Sequence, residues 1–244
     1  MADGRDDPRL LVIEPERRGI LPLTGFHTPA RLKRQIRQNR FQITANQAFR
    51  EVIEECAAQT GSRTETWINR QIIQLYDALH RDGFAHSIEV WDNNTLVGGL
   101  YGVAIGGAFF GESMFTRKDN ASKIALVHLV AALLYADFKL LDAQFLNDHL
   151  KQFGIIEISK EDFQIKLKQA LKVNSVFPSK LFAPQGHPRA FLEKCEAVFE
   201  QETRQPKESR APFRSGQNVI CSSSDYPLSQ GQFCLETLAK AQLA

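Results

Sequence analysis

The chain predicts an α+β fold with a mixed sheet flanked by helices, and three observations lead there. Helical and strand periods do not alternate as repeated βαβ units; the order is helix, three strands, helix, strand, helix, strand, helix. Residues 85–115 hold three consecutive apolar strand segments, and a helix-length apolar stretch, 121–135, follows directly. With 244 residues, 43% hydrophobic and 24% charged, the chain can bury a sizeable core.

Taken in order, residues 28–58 read as two short helices around a brief extended piece, Phe41 to Thr44. Thr28 and Pro29 suit a helix entry, threonine as the cap and proline at the first helical position. Asn69 caps a helix to about Asp82 whose apolar face is Ile72, Ile73, Leu75, Tyr76 and Leu79. Strands near 85–91, 95–105 and 108–115 come next, the first two joined at Asp92, Asn93 and Asn94. A helix from Ala121 to Tyr135, a strand from Phe138 to Phe145, a short helix from Asn147 to Phe153 stopped by Gly154, a strand from Ile155 to Ile158 and a helix from Lys160 to Lys172 complete the pattern. Beyond Pro184 the periodicity weakens; His187 to Glu202 reads as a helix, and Thr203 to Gln232 has no sustained period. The division expected is a short N-terminal segment at 1–27, one domain at 28–184 and a C-terminal extension at 185–244, partly helical or disordered.

Composition removes several classes. The longest apolar run is broken by glycines and by Glu112, short of the ~20 residues of a membrane helix, and the opening residues have no apolar segment of signal type. A cytoplasmic protein without membrane contact is therefore expected. Cys56, Cys195, Cys221 and Cys234 are far apart and lack metal-ligand spacing, so they read as thiols. His80 and His86 have no third ligand beside them, and no metal or other cofactor is expected. Net charge is only +2, but from Arg17 to Arg50 every charged residue is basic. Arg31, Lys33, Arg34, Arg37 and Arg40 cluster there; Lys33 and Arg37, and Arg34 and Arg37, share a helix face. Such a stripe is either a solvated helix face or a phosphate-contacting surface.

Two places carry candidate chemistry. Glycines 98, 99, 102, 106, 107 and 111 lie among β-branched and aromatic residues, implying buried strands whose backbone something approaches closely, and Glu112 is the lone carboxylate there. A carboxylate beside Phe109, Phe110 and Met114 needs a cation or amide partner, either a substrate ammonium or a neighbour such as Arg117. Asp142 and Gln144 are two apart on a predicted strand and so share a face; they can hold an amine or carbonyl, or simply satisfy loop amides. A hydrolytic Ser113, His149 and Asp142 triad lacks the G-x-S-x-G turn.

Several ungapped blocks occur in fixed order: Thr66-Trp67-Ile68-Asn69, His86-Ser87-Ile88-Glu89-Val90-Trp91, Gly98-Gly99-Leu100-Tyr101-Gly102-Val103, Phe110-Gly111-Glu112-Ser113-Met114-Phe115, Ala121-Ser122-Lys123, Leu141-Asp142-Ala143-Gln144-Phe145 and Asn147-Asp148-His149. Over roughly residues 12–184 this order resembles the leucyl/phenylalanyl-tRNA-protein transferase family. The resemblance implies a GNAT-like acyltransferase fold, and transfer of Leu or Phe from aminoacyl-tRNA (Leu-tRNA, Phe-tRNA) to the N-terminal α-amine of acceptor proteins starting with Lys or Arg. That modification marks them for degradation by the N-degron route. Methionine is tolerated too, because an apolar pocket separates neighbouring hydrophobes by only about 1–3 kcal/mol.

Residue by residue, the resemblance implies a catalytic relay at Asp142 and Gln144, with Glu112 holding the donor's α-amino group. Asp142 acts either by hydrogen bonding and electrostatics or by direct proton abstraction. Trp67 and Tyr76 match residues near the terminal adenosine, where stacking is worth ~1–3 kcal/mol. Leu100 and Phe109 match the apolar side-chain pocket, Gly111 lies in the strand that the acyl-tRNA end approaches, and the basic helix with Arg31, Lys33, Arg34, Arg37 and Arg40 becomes the tRNA surface. Family members begin with a longer N-terminal module, so the segment before residue 28 reads as truncated, which leaves acceptor choice, basic or acidic, open. A monomer is expected. Two alternatives stand beside this reading: an acyl-coenzyme A-dependent GNAT enzyme, suggested by element order although the usual pyrophosphate-binding signature is missing, and a non-catalytic tRNA-binding module.

Overall fold

The computed structural model describes residues 10–59, 66–183, 189–200 and 218–221, together with Ala2 and Gly4. In chain order the elements are β1 (Leu10–Ile13), β2 (Arg17–Ile20), α1 (Ala30–Arg37), β3 (Gln42–Ala45), α2 (Phe49–Ala57), α3 (Arg70–Arg81), β4 (Ala85–Asp92), β5 (Thr95–Ile105), β6 (Ala108–Thr116), α4 (Ala121–Tyr135), β7 (Leu140–Asp142), α5 (Asp148–Lys151), β8 (Ile156–Ser159), α6 (Lys160–Ala170), α7 (Arg189–Glu200) and β9 (Asn218–Cys221). Seven strands form one mixed sheet in the order β3-β4-β5-β6-β7-β2-β8, and β1 pairs with β9 in a separate ribbon. Every pairing in the large sheet is antiparallel except β6 with β7. The α+β expectation holds.

Local chemistry explains most boundaries. The Asn69 side chain accepts from the Ile72 N–H at 2.8 Å and starts α3, whose Ile72, Tyr76 and Leu79 are buried. Asn93 and Asn94 both have positive φ (47° and 66°), as a two-residue turn between twisted strands requires. α4 is apolar on every side because it lies between the sheet and α7. Other expectations are corrected. The Thr28 hydroxyl does not cap α1; it is buried and donates to the Val198 carbonyl at 3.4 Å, and Pro29 takes the cap position with no side-chain bond. The strand expected over 138–145 is only Leu140–Asp142. It stops because Gln144 turns left-handed, with φ 57°. The helix expected over 187–202 is present as α7, whereas most of Thr203 to Gln232 lies outside the described residues.

The sheet divides two cores. On one face α4 packs with α7 over Ile43, Ile88, Val90, Leu100, Phe109 and Leu141. On the other, α2, α3 and α6 cover Tyr101, Val103, Phe110, Phe115 and Leu140. β2 enters between β7 and β8, and its passage is close: a Cβ on Gly19 would lie 2.6 Å from the Phe145 carbonyl carbon and 2.7 Å from its oxygen. Backbone bonds lock the same contact, Gly19 N–H to the Gln144 carbonyl and Ala143 N–H to the Gly19 carbonyl, both at 2.9 Å. Gly98 plays the matching part for α4, since a Cβ there would lie 2.4 Å from the Ala121 Cβ.

Because the obstacle at Gly19 is backbone, Gly19→Ala should destabilise the protein by about 1–3 kcal/mol in urea unfolding. A change below about 0.5 kcal/mol would contradict the packing described.

Candidate active site

β6 and β7 pair for three residues, Ala108 with Leu140, Phe109 with Leu141 and Phe110 with Asp142, and then part. β6 runs on beside β5 while β7 ends, so the two strands part beyond Phe110 and Asp142. A Cβ on Gly111 would meet only the Asp142 carbonyl oxygen, at an ordinary 3.4 Å.

A β-bulge aims the next residue. Tyr101 pairs with Ser113 and Gly102 with Gly111, which leaves Glu112 without an opposite residue on β5. The insertion reverses the alternation of β6. Phe109 and Phe115, six apart, would share a face in a regular strand, yet Phe109 packs under α4 and Phe115 on the opposite face. Glu112 thereby accepts a hydrogen bond from the Tyr76 hydroxyl of α3. Burial pushes its carboxyl up to about 7, and the charge of Asp142 adds to this, while the Tyr76 bond, the N-terminal ammonium and Arg18 work against it. The Tyr76 ring meets the Tyr101 ring edge-on at 5.2 Å. Among the described residues the buried Tyr101 hydroxyl has no hydrogen-bond partner.

Asp142 is fully buried, and its two oxygens each have two donors. Arg18 of β2 donates from Nε to Oδ1 at 3.0 Å and from Nη2 to Oδ2 at 2.8 Å. Gln144 donates its backbone N–H to Oδ1 at 3.1 Å and its side-chain Nε2 to Oδ2 at 3.2 Å. Asp142 and Gln144 therefore meet, but across a turn and not along one strand face. The Arg18 guanidinium lies 4.5 Å over the Phe163 ring of α6. Sequence reasoning missed Arg18 as a site residue. The available signal was a buried aspartate needing a cation, and the cation stands 124 positions earlier.

The remaining candidates separate into three places. Trp67, half-buried, packs into the same core as Tyr76, on the face of Glu112 and Arg18. Leu100 and Phe109 are buried in the opposite core, under α4 with Leu141 and Met114. The end of the β6–β7 pairing lies between these two groups. The basic helix lies apart on the α4 side, and one of its members is not free: Arg37 pairs with Glu196 of α7 at 2.6 Å and lies over Phe199 at 5.4 Å. Arg31, Arg34 and Arg40 are exposed and Lys33 is half-buried; among the described residues none of the four has an acidic partner. Arg17 pairs with the distant Glu157, and Arg50 with Glu54 one turn on as well as with Asp77 of α3.

Decoys resolve in the same way. The Asp142 carboxylate is held by Arg18 and Gln144 rather than His149, which is exposed on α5. His86 stacks on Phe177 at 4.2 Å, and burial, with the nearby His80, holds its ring down to about 4. Arg117 pairs with Glu55, not with Glu112. No helix among the described residues is long and apolar enough to cross a membrane.

A family model described as leucyl/phenylalanyl-tRNA protein transferase matches residues 20–168. Three curated proteins of that name are similar to the chain. That of Hyphomonas neptunium is 58% identical over 177 residues, 72% of this chain and 69% of the relative. That of Phenylobacterium zucineum is 55% identical over 177 residues, 72% and 80% of the two chains. That of Caulobacter vibrioides is 54% identical over 171 residues, 70% and 79%. The matched segment contains Asp142, Gln144 and Glu112.

The raised value at Glu112 has a definite sign in stability. The folded state holds this proton more tightly than the unfolded chain, whose ordinary value is 4.5, so its stabilising contribution is lost as pH rises toward about 7. Glu112→Gln removes the ionisation. The melting temperature of wild type should therefore fall relative to Glu112→Gln between about pH 5 and about pH 8. A difference that does not vary with pH would refute it.

Proposed function

The chain belongs to the leucyl/phenylalanyl-tRNA protein transferase family and is an aminoacyl-tRNA-dependent transferase; on that premise we propose that it moves leucine or phenylalanine, and methionine less selectively, to the N-terminal α-amine of proteins beginning with Lys or Arg. Such products enter the N-degron route. The family match displaces the acyl-coenzyme A and non-catalytic alternatives, while the order of elements around the parted β6 and β7 supports a GNAT-like reading of the fold. The observation that carries the proposal is the meeting of Glu112, Asp142 and Gln144 at that parting, with Tyr76 bonded to Glu112.

The reaction asks little of covalent chemistry. The acceptor amine, with an unperturbed value of roughly 7.7–8.0, has a useful neutral fraction near neutrality. Its nitrogen attacks the ester carbonyl carbon; the C–N bond forms, the bond to the ribose 3′ oxygen breaks, and a proton from the amine leaves with that oxygen. The ester is already activated, so orientation supplies most of the acceleration. Gln144 commits Nε2 to Asp142, which leaves Oε1 to accept an N–H of the attacking amine. Glu112 in its ionised form receives the donor's α-ammonium. Trp67 and Tyr76 offer aromatic surface to the terminal adenosine, and Leu100, Phe109 and Gly111 line the way for the donor side chain under α4. Arg31, Lys33, Arg34 and Arg40, with Arg37 partly neutralised by Glu196, give the tRNA backbone its basic surface.

Labelled leucine offered on Leu-tRNA to matched peptides starting with Arg, Lys, Asp, Glu or Ala should appear on the Arg and Lys peptides only. Transfer confined to Asp or Glu would move the acceptor specificity, and no transfer at all would overturn the proposal. Replacing Arg31, Arg34 and Arg40 together by Ala should weaken tRNA binding and reduce its log–log salt slope by about 0.7–0.9 for each phosphate no longer neutralised. An unchanged slope would remove this helix from the tRNA surface.

A further inference from the structure

Arg18 has no part in the roles assigned above, yet it makes the two shortest contacts to Asp142. We propose that Arg18 is a positioning residue for the transfer step: its guanidinium fixes the Asp142 carboxylate as a template whose remaining acceptor sites hold Gln144, so that Asp142 orients the glutamine and takes no proton.

The geometry is reciprocal. Each Asp142 oxygen receives one bond from Arg18 and one from Gln144, so the carboxylate is saturated by donors already in the fold. A planar guanidinium can span both oxygens, whereas an ammonium presents a point charge. The fork is itself held, by the Phe163 ring beneath it and by β2, where Arg18 stands opposite Ile158 of β8. The same strand grips Gln144 through its backbone, Gly19 N–H to the Gln144 carbonyl. Gln144 sits at φ 57°, a conformation unfavourable for a residue with a Cβ, so it persists only because these contacts specify it. The groups facing Asp142 are Arg18 from β2, Gln144 from the turn and, electrostatically, Glu112 from β6. Removing the cation leaves the buried Asp142 carboxylate uncompensated and unfixed, so the Gln144 amide bonded to it is no longer held in one place.

This inference rests on the reading of Gln144 as the group that meets the acceptor amine, and the test separates the two. Single-turnover transfer from Leu-tRNA to an Arg-initiated peptide is measured for wild type, Arg18→Met, Arg18→Lys, Asp142→Asn and the double variant Arg18→Met with Asp142→Asn, alongside tRNA affinity and melting temperature. Arg18→Met should lose about 100-fold in rate at saturating tRNA while its tRNA Kd stays within about threefold, the signature of a misplaced reacting group. Arg18→Lys should recover only a small part of that rate. The double variant should be no slower than Asp142→Asn, because the arginine acts only through Asp142. Losses that multiply would make Asp142 a base independent of Arg18 and overturn the proposal, as would a wild-type rate in Arg18→Met. If Arg18→Met does not fold, the decision passes to Arg18→Lys, in which a wild-type rate overturns the proposal and a reduced rate at unchanged tRNA affinity upholds it. A wild-type protein that transfers nothing strikes the functional reading instead.

Discussion

The arrangement depends on a short parallel ladder. β6 and β7 are bonded for three pairs and no more. A longer ladder would close the sheet over the space between Gly111 and Asp142, while no ladder would leave the two carboxylates on unrelated strands. What ends it is visible on both sides. β7 is stopped by the left-handed turn at Gln144, and β6 is re-aimed by the bulge at Glu112. Each irregularity places a candidate functional side chain, as expected where local rules give way at a site.

Charge in this small volume is unequal by design of the fold. Two carboxylates, Glu112 and Asp142, face one guanidinium, Arg18. The bidentate geometry gives that cation to Asp142, so Glu112 is left with a hydroxyl partner and a desolvated carboxyl near 7. In the proposed reading a donor ammonium meets Glu112, and its attraction favours the ionised form of that carboxyl. On the proposed reading the same inequality separates the two acids, Asp142 supporting Gln144 and Glu112 open to substrate.

Much of this was legible in the sequence where local signals decide. The Asn69 cap, the Asn93 and Asn94 turn, the apolar helix 121–135 and the strands around them follow from side-chain chemistry within a few residues. The ordered blocks singled out Glu112, Asp142 and Gln144 as candidates, and the fold brings the three near one another. What escaped depends on partners distant in the chain. Thr28 reads as a cap until Val198 takes its hydroxyl, Arg37 reads as unopposed until Glu196 arrives, and Arg18 reads as one basic residue among many until Asp142 is brought beside it. The bulge escaped for another reason: alternation of Phe109, Gly111 and Ser113 looks regular, and only packing on both faces reveals the inserted residue.

A structure with a non-hydrolysable leucyl-adenosine amide tests the central claim most directly, that one cleft joins an ammonium site on one face to an apolar site on the other. The account predicts the ligand's ammonium within hydrogen-bonding distance of Glu112, its adenine against Trp67 and Tyr76, and its leucyl side chain directed toward Leu100 and Phe109. An ammonium bound away from Glu112, or a leucyl group lodged among α2 and α3, would contradict it.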